Sequence, residues 1–239
     1  MFFEEHAKLL SDFARVSQAA GARADYVQGG GGNTSVKLPG GLMAIKASGF
    51  CLSDIRPDKA YAVLDGADLR NFYLTTEPSE LADVEKEGSA RAKADIRHID
   101  GLADLRPSVE AGFHSILKTF VVHTHSVYAN LAACSTACRP IAAQAFAGAN
   151  YTWGWVPYTD PGANLTFAIR DELRRVEAET GKVPSVILMQ NHGIIVHDDD
   201  PDTALAIHTD ANERLARMFG LTGTSFPKIA VREMAAGIY

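Results

Sequence analysis

The chain is short of several things, and each shortage narrows its possible roles. Three cysteines in 239 residues (Cys51, Cys134 and Cys138) are odd in number and form no C-x-x-C pair, so no redox motif is indicated. Cys134 and Cys138 are four apart, a helical spacing, among Ala and Leu, and read as buried or half-buried thiols. Nothing in their spacing ties them to a metal. No window is long and apolar enough to span a membrane. The start, Met1-Phe2-Phe3-Glu4-Glu5-His6, lacks the basic opening and apolar stretch of a signal peptide, so a cytoplasmic location is expected. Positive charge is also scarce: 23 Lys and Arg face 29 Asp and Glu, a net charge of −6. That argues against nucleic acid as the main partner, although a local basic patch stays open. There is no Pro/Ser-rich linker and no internal repeat, so one domain over residues 1–239 is expected. What remains is an ordinary globular composition, 46% apolar with a mean hydropathy of −0.05, enough for a core of several layers.

Against that background one stretch stands out. Phe120-Val121-Val122 leads into His123-Thr124-His125. On an extended strand, side chains two apart share a face, so both imidazoles can aim at one point. Two imidazoles from one strand end make half of a four-ligand metal site, but an isolated pair also occurs as plain strand-end histidines.

Along the chain, residues 2–20 read as an amphipathic helix stopped by Gly21. Gly29-Gly30-Gly31-Gly32-Asn33-Thr34-Ser35 is a loop rich in glycine and hydrogen-bonding groups. Its backbone can cradle an anion, or it can be a flexible hairpin connection. It is not a P-loop, because no Gly-Lys-Ser/Thr closes it. It is not a dinucleotide fingerprint either, because a strand pattern at 36–38 follows it rather than a helix. Short strands are expected over 42–45 and 61–64. Residues 75–104 are densely charged, with a helical look over 79–96. They fit a solvated helix or a mobile cover over a site. Ser108 is a candidate helix N-cap, which places Glu110 in the first turn, where the helix dipole favours a carboxylate. Residues 127–138 read as an Ala-rich helix, 140–146 as a strand, and 150–162 as a loop carrying Trp153, Trp155 and Tyr158. A helix over 165–180 precedes strands at 186–189 and 194–196, which flank Gln190-Asn191-His192-Gly193. A long helix over 203–219 follows, and the tail from 222 to 239 is ambiguous. Strands alternating with helices and joined by several tight turns predict an α/β fold: a mixed sheet with helices packed on it.

His192 is a third histidine in a strand-and-turn setting. Together with His123 and His125 it would give three nitrogen ligands and an open position. Glu110 could be a fourth ligand, a general base, or each in turn. Such a set suits zinc, and also manganese or cobalt. Asn33, Ser48-Gly49 and Ser108 are hydrogen-bonding groups able to serve an anion. A metal beside such a cradle suggests a phosphorylated polyhydroxy substrate. His114, four residues after Glu110, reads as a packing or orienting group. His6, His98, His197 and His208 have no matching context and read as surface or capping residues.

Five stretches in order carry a resemblance: Gly32-Asn33-Thr34-Ser35, Lys46-Ala47-Ser48-Gly49, Arg106-Pro107-Ser108-Val109-Glu110, His123-Thr124-His125-Ser126 and Asn191-His192-Gly193. Together they resemble the class II aldolase/adducin family, closest to its rhamnulose- and fuculose-1-phosphate aldolase branches. The resemblance implies a three-layer α/β/α fold with a central, largely antiparallel mixed sheet. It also implies a homotetramer with the active site at a subunit interface. It places the metal on His123, His125 and His192. Glu110 corresponds to the acid that contacts the metal and then acts as base, and Asn33, Ser48, Gly49 and Ser108 to the phosphate cradle. Pro157-Tyr158 resembles a loop whose Tyr protonates the leaving aldehyde. Val109 stands where some members have a second Ser, which removes one hydroxyl from the cradle. The implied reaction is a retro-aldol cleavage of a ketose 1-phosphate to dihydroxyacetone phosphate and an aldehyde. Sister reactions on the same scaffold are epimerisation, dehydration and decarboxylation. A non-catalytic, adducin-like assembly domain would be favoured by loss of the histidines, and all three are present.

Overall fold

A computed structural model describes residues 2–221. In chain order the helices are α1 (Phe2–Glu5), α2 (Ala7–Gly21), α3 (Gly66–Thr75), α4 (Val84–Ala94), α5 (Ala111–Ile116), α6 (Val127–Ala133), α7 (Cys138–Ala145), α8 (Ala163–Thr180) and α9 (Pro201–Met218). The strands are β1 (Asn33–Lys37), β2 (Leu42–Lys46), β3 (Tyr61–Asp65), β4 (Ile96–Arg97), β5 (Phe120–Thr124), β6 (Trp153–Val156), β7 (Val186–Met189) and β8 (Gly193–Asp198). They form one sheet in the order β4-β3-β2-β1-β5-β8-β7-β6. Every neighbouring pair is antiparallel except β6 with β7.

Alternation along the central strands builds a core on each face. On β5, Val122 joins the apolar cluster that includes Leu10 and Phe13 of α2 and Leu215 of α9. Its neighbour Val121 joins the cluster that includes Phe113 of α5 and Leu165 and Ile169 of α8. The expected three layers follow: helices, a largely antiparallel mixed sheet, helices. The central strands are buried on both faces, which is why they read as continuous apolar runs.

Several local expectations are corrected. Residues 140–146 are not a strand: 140–145 make up most of α7 and Phe146 is its C-cap residue. Cys138, Ala142 and Ala145 are its buried residues, at helical intervals. Pro140 sits in the first turn, where no backbone N–H is needed. The helix expected over 127–138 breaks after Ala133, so Cys134 is exposed at the end of α6 while Cys138 is buried at the start of α7. The loop expected over 150–162 contains β6, whose parallel pairing with β7 depends on a distant strand and has no local signature. Helix α3 was not foreseen; Asp65 caps it by accepting from the Asp68 N–H at 2.9 Å. The first helix is interrupted at His6.

The charged segment is built into the fold. Gly88 of α4 packs against Tyr73 and Ala163 with no room for a side chain. The Glu85 carboxylate accepts the N–H groups of Ala163 and Asn164 (2.9 and 2.8 Å), capping α8. Of the four histidines read as surface or capping residues, only His98 is exposed. His6, His197 and His208 are buried. The ambiguous tail from 222 onward lies outside the described residues.

Candidate metal centre

The site forms where β5 ends. His123 is its fourth residue and lies wholly buried on the α5 side, edge-on to Phe113. His125 follows just past the strand. The rings of His123 and His125 are 4.9 Å apart between centroids, and His192 lies 5.0 and 5.3 Å from them. Ligand atoms of the three all fall within 4.8 Å of one another.

Two glycines permit this closeness. Gly32, at φ +70°, sits directly against the His123 carbonyl, so a side chain there would collide with it. Gly193 sits against the Thr124 carbonyl from the other side. His192 is carried by the three-residue turn between β7 and β8, in which Asn191 adopts φ +54°.

Hydrogen bonds decide which nitrogens are free. His123 Nδ1 donates to the Ile194 carbonyl at 3.0 Å, which leaves its Nε2 a bare lone pair. Burial pushes the His123 pKa down to about 3, so the ring is neutral and fit to ligate. That Nε2 is 3.2 Å from His125 Nε2 and 3.6 Å from Glu110 Oε2. Burial also lowers the pKa of His125.

Glu110 completes the group. Rather than lying inside a helix capped by Ser108, it is itself the N-cap residue of α5. The Ser108 hydroxyl instead accepts the Glu110 N–H at 3.3 Å. Burial alone would raise its pKa, but the surrounding imidazoles and the Asn33 amide outweigh that and hold it as a carboxylate. Its Oε1 is buried 3.1 Å from His192 Nε2, yet misaligned, so the oxygen completes no hydrogen bond. A buried carboxylate with one oxygen 3.1 Å from His192 Nε2 and the other 3.6 Å from His123 Nε2, the first with no donor aligned on it, beside the third imidazole of His125, fits a divalent cation held among these four side chains.

A directed chain positions the carboxylate. Asn33 Nδ2 donates to Glu110 Oε2 at 2.5 Å, so Asn33 Oδ1 faces the other way and accepts from His114 Nε2. His114 is wholly buried and its pKa is driven far down by burial. Its Nδ1 is therefore bare and accepts from the Ser35 hydroxyl at 2.7 Å. The expected orienting role of His114 thus has a geometry, and it runs through Asn33 and Ser35.

The cradle residues are brought together unevenly. An isolated bridge between Ala47 and Pro107 aligns the two loops, and the Ser48 N–H donates to the Arg106 carbonyl at 2.8 Å. Ser48 and Gly49 are exposed and Ser108 is half-buried. Asn33 is committed elsewhere: its amide also donates to Ser108 Oγ at 3.1 Å, so both amide hydrogens are in use. Val109 is 71% exposed. Tyr158 is 55% exposed and donates to Asp160 at 2.8 Å, outside the histidine group.

Two contributors went unassigned in the sequence. Arg106 reaches back to Ser48 Oγ at 3.4 Å, bringing a cation to the cradle. Lys46 is buried and donates to the carbonyls of Phe50 (2.6 Å) and Gly30 (3.3 Å), clamping the glycine loop to the Ser48 loop. The charged residue heading each motif was the signal available for both.

The sequence pattern of the class II aldolase and adducin N-terminal domain matches residues 11–219. The chain belongs to this family. No curated protein matches this family member. Solved structures share its fold. The N-terminal class II aldolase domain of a Thermoplasma acidophilum protein has a TM-score of 0.70 at 20% identity, covering 87% of this chain and 92% of that one. YgbL of Klebsiella pneumoniae, a candidate aldolase/epimerase/decarboxylase, gives 0.60 at 18%, with 93% of each chain covered. L-fuculose-1-phosphate aldolase of Thermus thermophilus gives 0.53 at 15%, covering 90% and 95%. At these identities the likeness establishes the fold alone.

Proposed function

We propose that this family member is a metal-dependent carbon–carbon lyase that reversibly cleaves a ketose 1-phosphate of the rhamnulose or fuculose type. The products are dihydroxyacetone phosphate and an aldehyde. The observation that carries this reading is the grouping of His123, His125 and His192 with Glu110 closed onto the first and last of them, one carboxylate oxygen left without an aligned donor. Those side chains would hold zinc, with manganese or cobalt as substitutes. When bound, the metal supplies Lewis-acid polarisation of the substrate carbonyl and charge stabilisation of the cleaved product.

The protein's own groups do the rest. Glu110, released from its resting position, takes the proton of the substrate hydroxyl at the bond to be broken. It then returns a proton to the carbon left behind. Asn33 and His114 keep the carboxylate aimed while it does so. Ser48, Gly49 and Ser108 hold the phosphate, with Arg106 adding charge where Val109 offers no hydroxyl. Tyr158 would relay that hydroxyl proton toward Glu110 in cleavage and give it back to the aldehyde oxygen in condensation, and its exposure suits a group that acts across an interface between copies, in keeping with a homotetramer. The sister reactions would use the same metal and carboxylate.

Metal analysis of the purified protein, joined to a screen of ketose 1-phosphates with triose phosphate release as readout, tests the proposal. About one zinc per chain and release of dihydroxyacetone phosphate are expected. Metal without release would move the assignment to epimerase, dehydratase or decarboxylase. No metal uptake after zinc addition would sink the catalytic reading.

A further inference from the structure

The far end of the sheet carries a second collection of polar groups. Residues 33, 35 and 37 of β1 share one face. Asn33 meets Glu110 at one end, and Lys37 lies at the other, roughly 13 Å away at strand spacing. Lys37 Nζ donates to the carbonyl of His114. Arg70 Nη1 donates to the next two carbonyls, Ser115 (3.3 Å) and Ile116 (2.6 Å). The two side chains therefore finish the C-terminal end of α5 by donating to its last carbonyls. Each keeps donors to spare, because an ammonium has three and a guanidinium five.

Those spare donors open onto a cavity of about 670 Å³. Lys118 and Arg174 also line it, but both are already engaged. Lys118 pairs with Asp198 at 2.9 Å, and Arg174 donates to the Leu74 carbonyl at 3.1 Å. Among the described residues no carboxylate lies within 4.0 Å of Lys37 or Arg70. Burial first, and then Arg70, push the Lys37 pKa well down, and Asp199 opposes this only as a lesser influence. Asp199 itself is bound by the Thr119 N–H and hydroxyl at 3.1 and 2.7 Å.

His197 adds an independent sign. It is 1% exposed and lines the same cavity. Its Nδ1 accepts the Lys118 N–H at 3.4 Å, so its Nε2 carries the hydrogen, and that nitrogen has no hydrogen-bond partner. The Pro184 carbonyl acts on the ring but completes no bond with that nitrogen. A buried N–H without an aligned acceptor costs free energy, so this ring responds readily to a rearrangement of the wall it forms.

We propose that this cavity is a second ligand site, separate from the histidine centre, that takes a small organic phosphate. A phosphate group would pair with the Arg70 guanidinium and would favour the charged form of Lys37 that burial disfavours, with the His197 ring in the same wall. The volume lies in the range of small-molecule pockets and exceeds what a bare ion fills, and Leu38, Leu42 and Ile116 offer apolar wall to a carbon skeleton. An occupant would touch Lys37, which holds the carbonyl of the same His114 whose ring bonds Asn33. The proposal does not rest on the reaction assigned above.

Calorimetric titration of the full zinc-loaded chain with glycerol 3-phosphate, and separately with inorganic phosphate, tests it. Glycerol 3-phosphate should bind, more tightly than inorganic phosphate, and should still bind a Ser48→Ala variant altered only in the cradle. Arg70→Gln should weaken that binding about tenfold or more, and Arg70→Lys less. In the parent protein the His197 ring resonances should move on titration, a readout that needs no substitution. Three results would each overturn the site. One is no binding up to about 10 mM ligand. Another is binding lost in Ser48→Ala yet untouched in Arg70→Gln. The last is binding that leaves the His197 signals unmoved.

Discussion

Replacing Asn33 with Ala removes one amide that serves three partners. It takes away the 2.5 Å donor to Glu110 Oε2, the 3.1 Å donor to Ser108 Oγ and the acceptor for His114 Nε2. Glu110 is 6% exposed and His114 is 0% exposed, so water does not readily replace the lost partners. A hydrogen bond to a charged group contributes about 1.5–3 kcal/mol, and an orphaned buried donor costs about 1–3 kcal/mol. Some relaxation is expected, so the net loss should be about 3–5 kcal/mol of folding stability in the metal-free protein, a substantial part of the total for a domain of this size. The same change frees the carboxylate to rotate, so activity should fall more steeply than zinc content. Urea unfolding of metal-free parent and variant, alongside zinc content and turnover, measures both effects. A stability loss under about 1 kcal/mol with turnover unchanged would refute the chain from Ser35 through His114 and Asn33 to Glu110.

Three further outcomes are expected. Glu110→Gln should retain zinc on the three histidines but lose about 10²–10⁴ in turnover, because the amide cannot take a proton; turnover at the parent rate would remove Glu110 from the mechanism. Arg106→Gln should raise KM for a phosphorylated substrate several-fold with kcat little changed, and an unaltered KM would take Arg106 out of the cradle. Acid should destabilise the fold through His197 and His208, both pushed down to about 3 by burial. In the unfolded chain each titrates near about 6.5. Between those values the unfolded chain binds more protons, so stability is full above pH ~6.5 and is lost as pH falls toward ~3. At pH 5 each histidine should cost about 2 kcal/mol, and a urea midpoint that does not move between pH 7 and 5 would contradict the burial.

The outline of the site was legible because its chemistry is concentrated in short motifs. His123 and His125 announce themselves by strand spacing, His192 by a turn between apolar strands, and Glu110 by its place before β5. What the sequence obscured lies where pairing partners are remote. β6 exists because β7 runs beside it, and nothing within residues 150–162 declares that. Residues 140–146 carry Ile141 and Phe146 among alanines, an apolar run short enough to imitate a strand, and only the packing of Cys138, Ala142 and Ala145 into the core selects the helix. The buried positions of His6, His197 and His208 were equally silent, because a lone histidine has no periodicity of its own.

The sequence by itself determined the family, the α/β layering and the identities of the candidate metal ligands, all of which depend on residue type and local order. The tertiary structure decided what each polar group is bonded to. It turned Asn33 from a free cradle group into the donor that aims Glu110. It moved the helix cap from Ser108 to Glu110, and it set Arg106 against Ser48. It also placed Lys37, Arg70 and His197 around one cavity. The physical reason is that a hydrogen bond is satisfied over about 3 Å, whereas these partners stand tens of residues apart in sequence and meet only when the strands and helices pack.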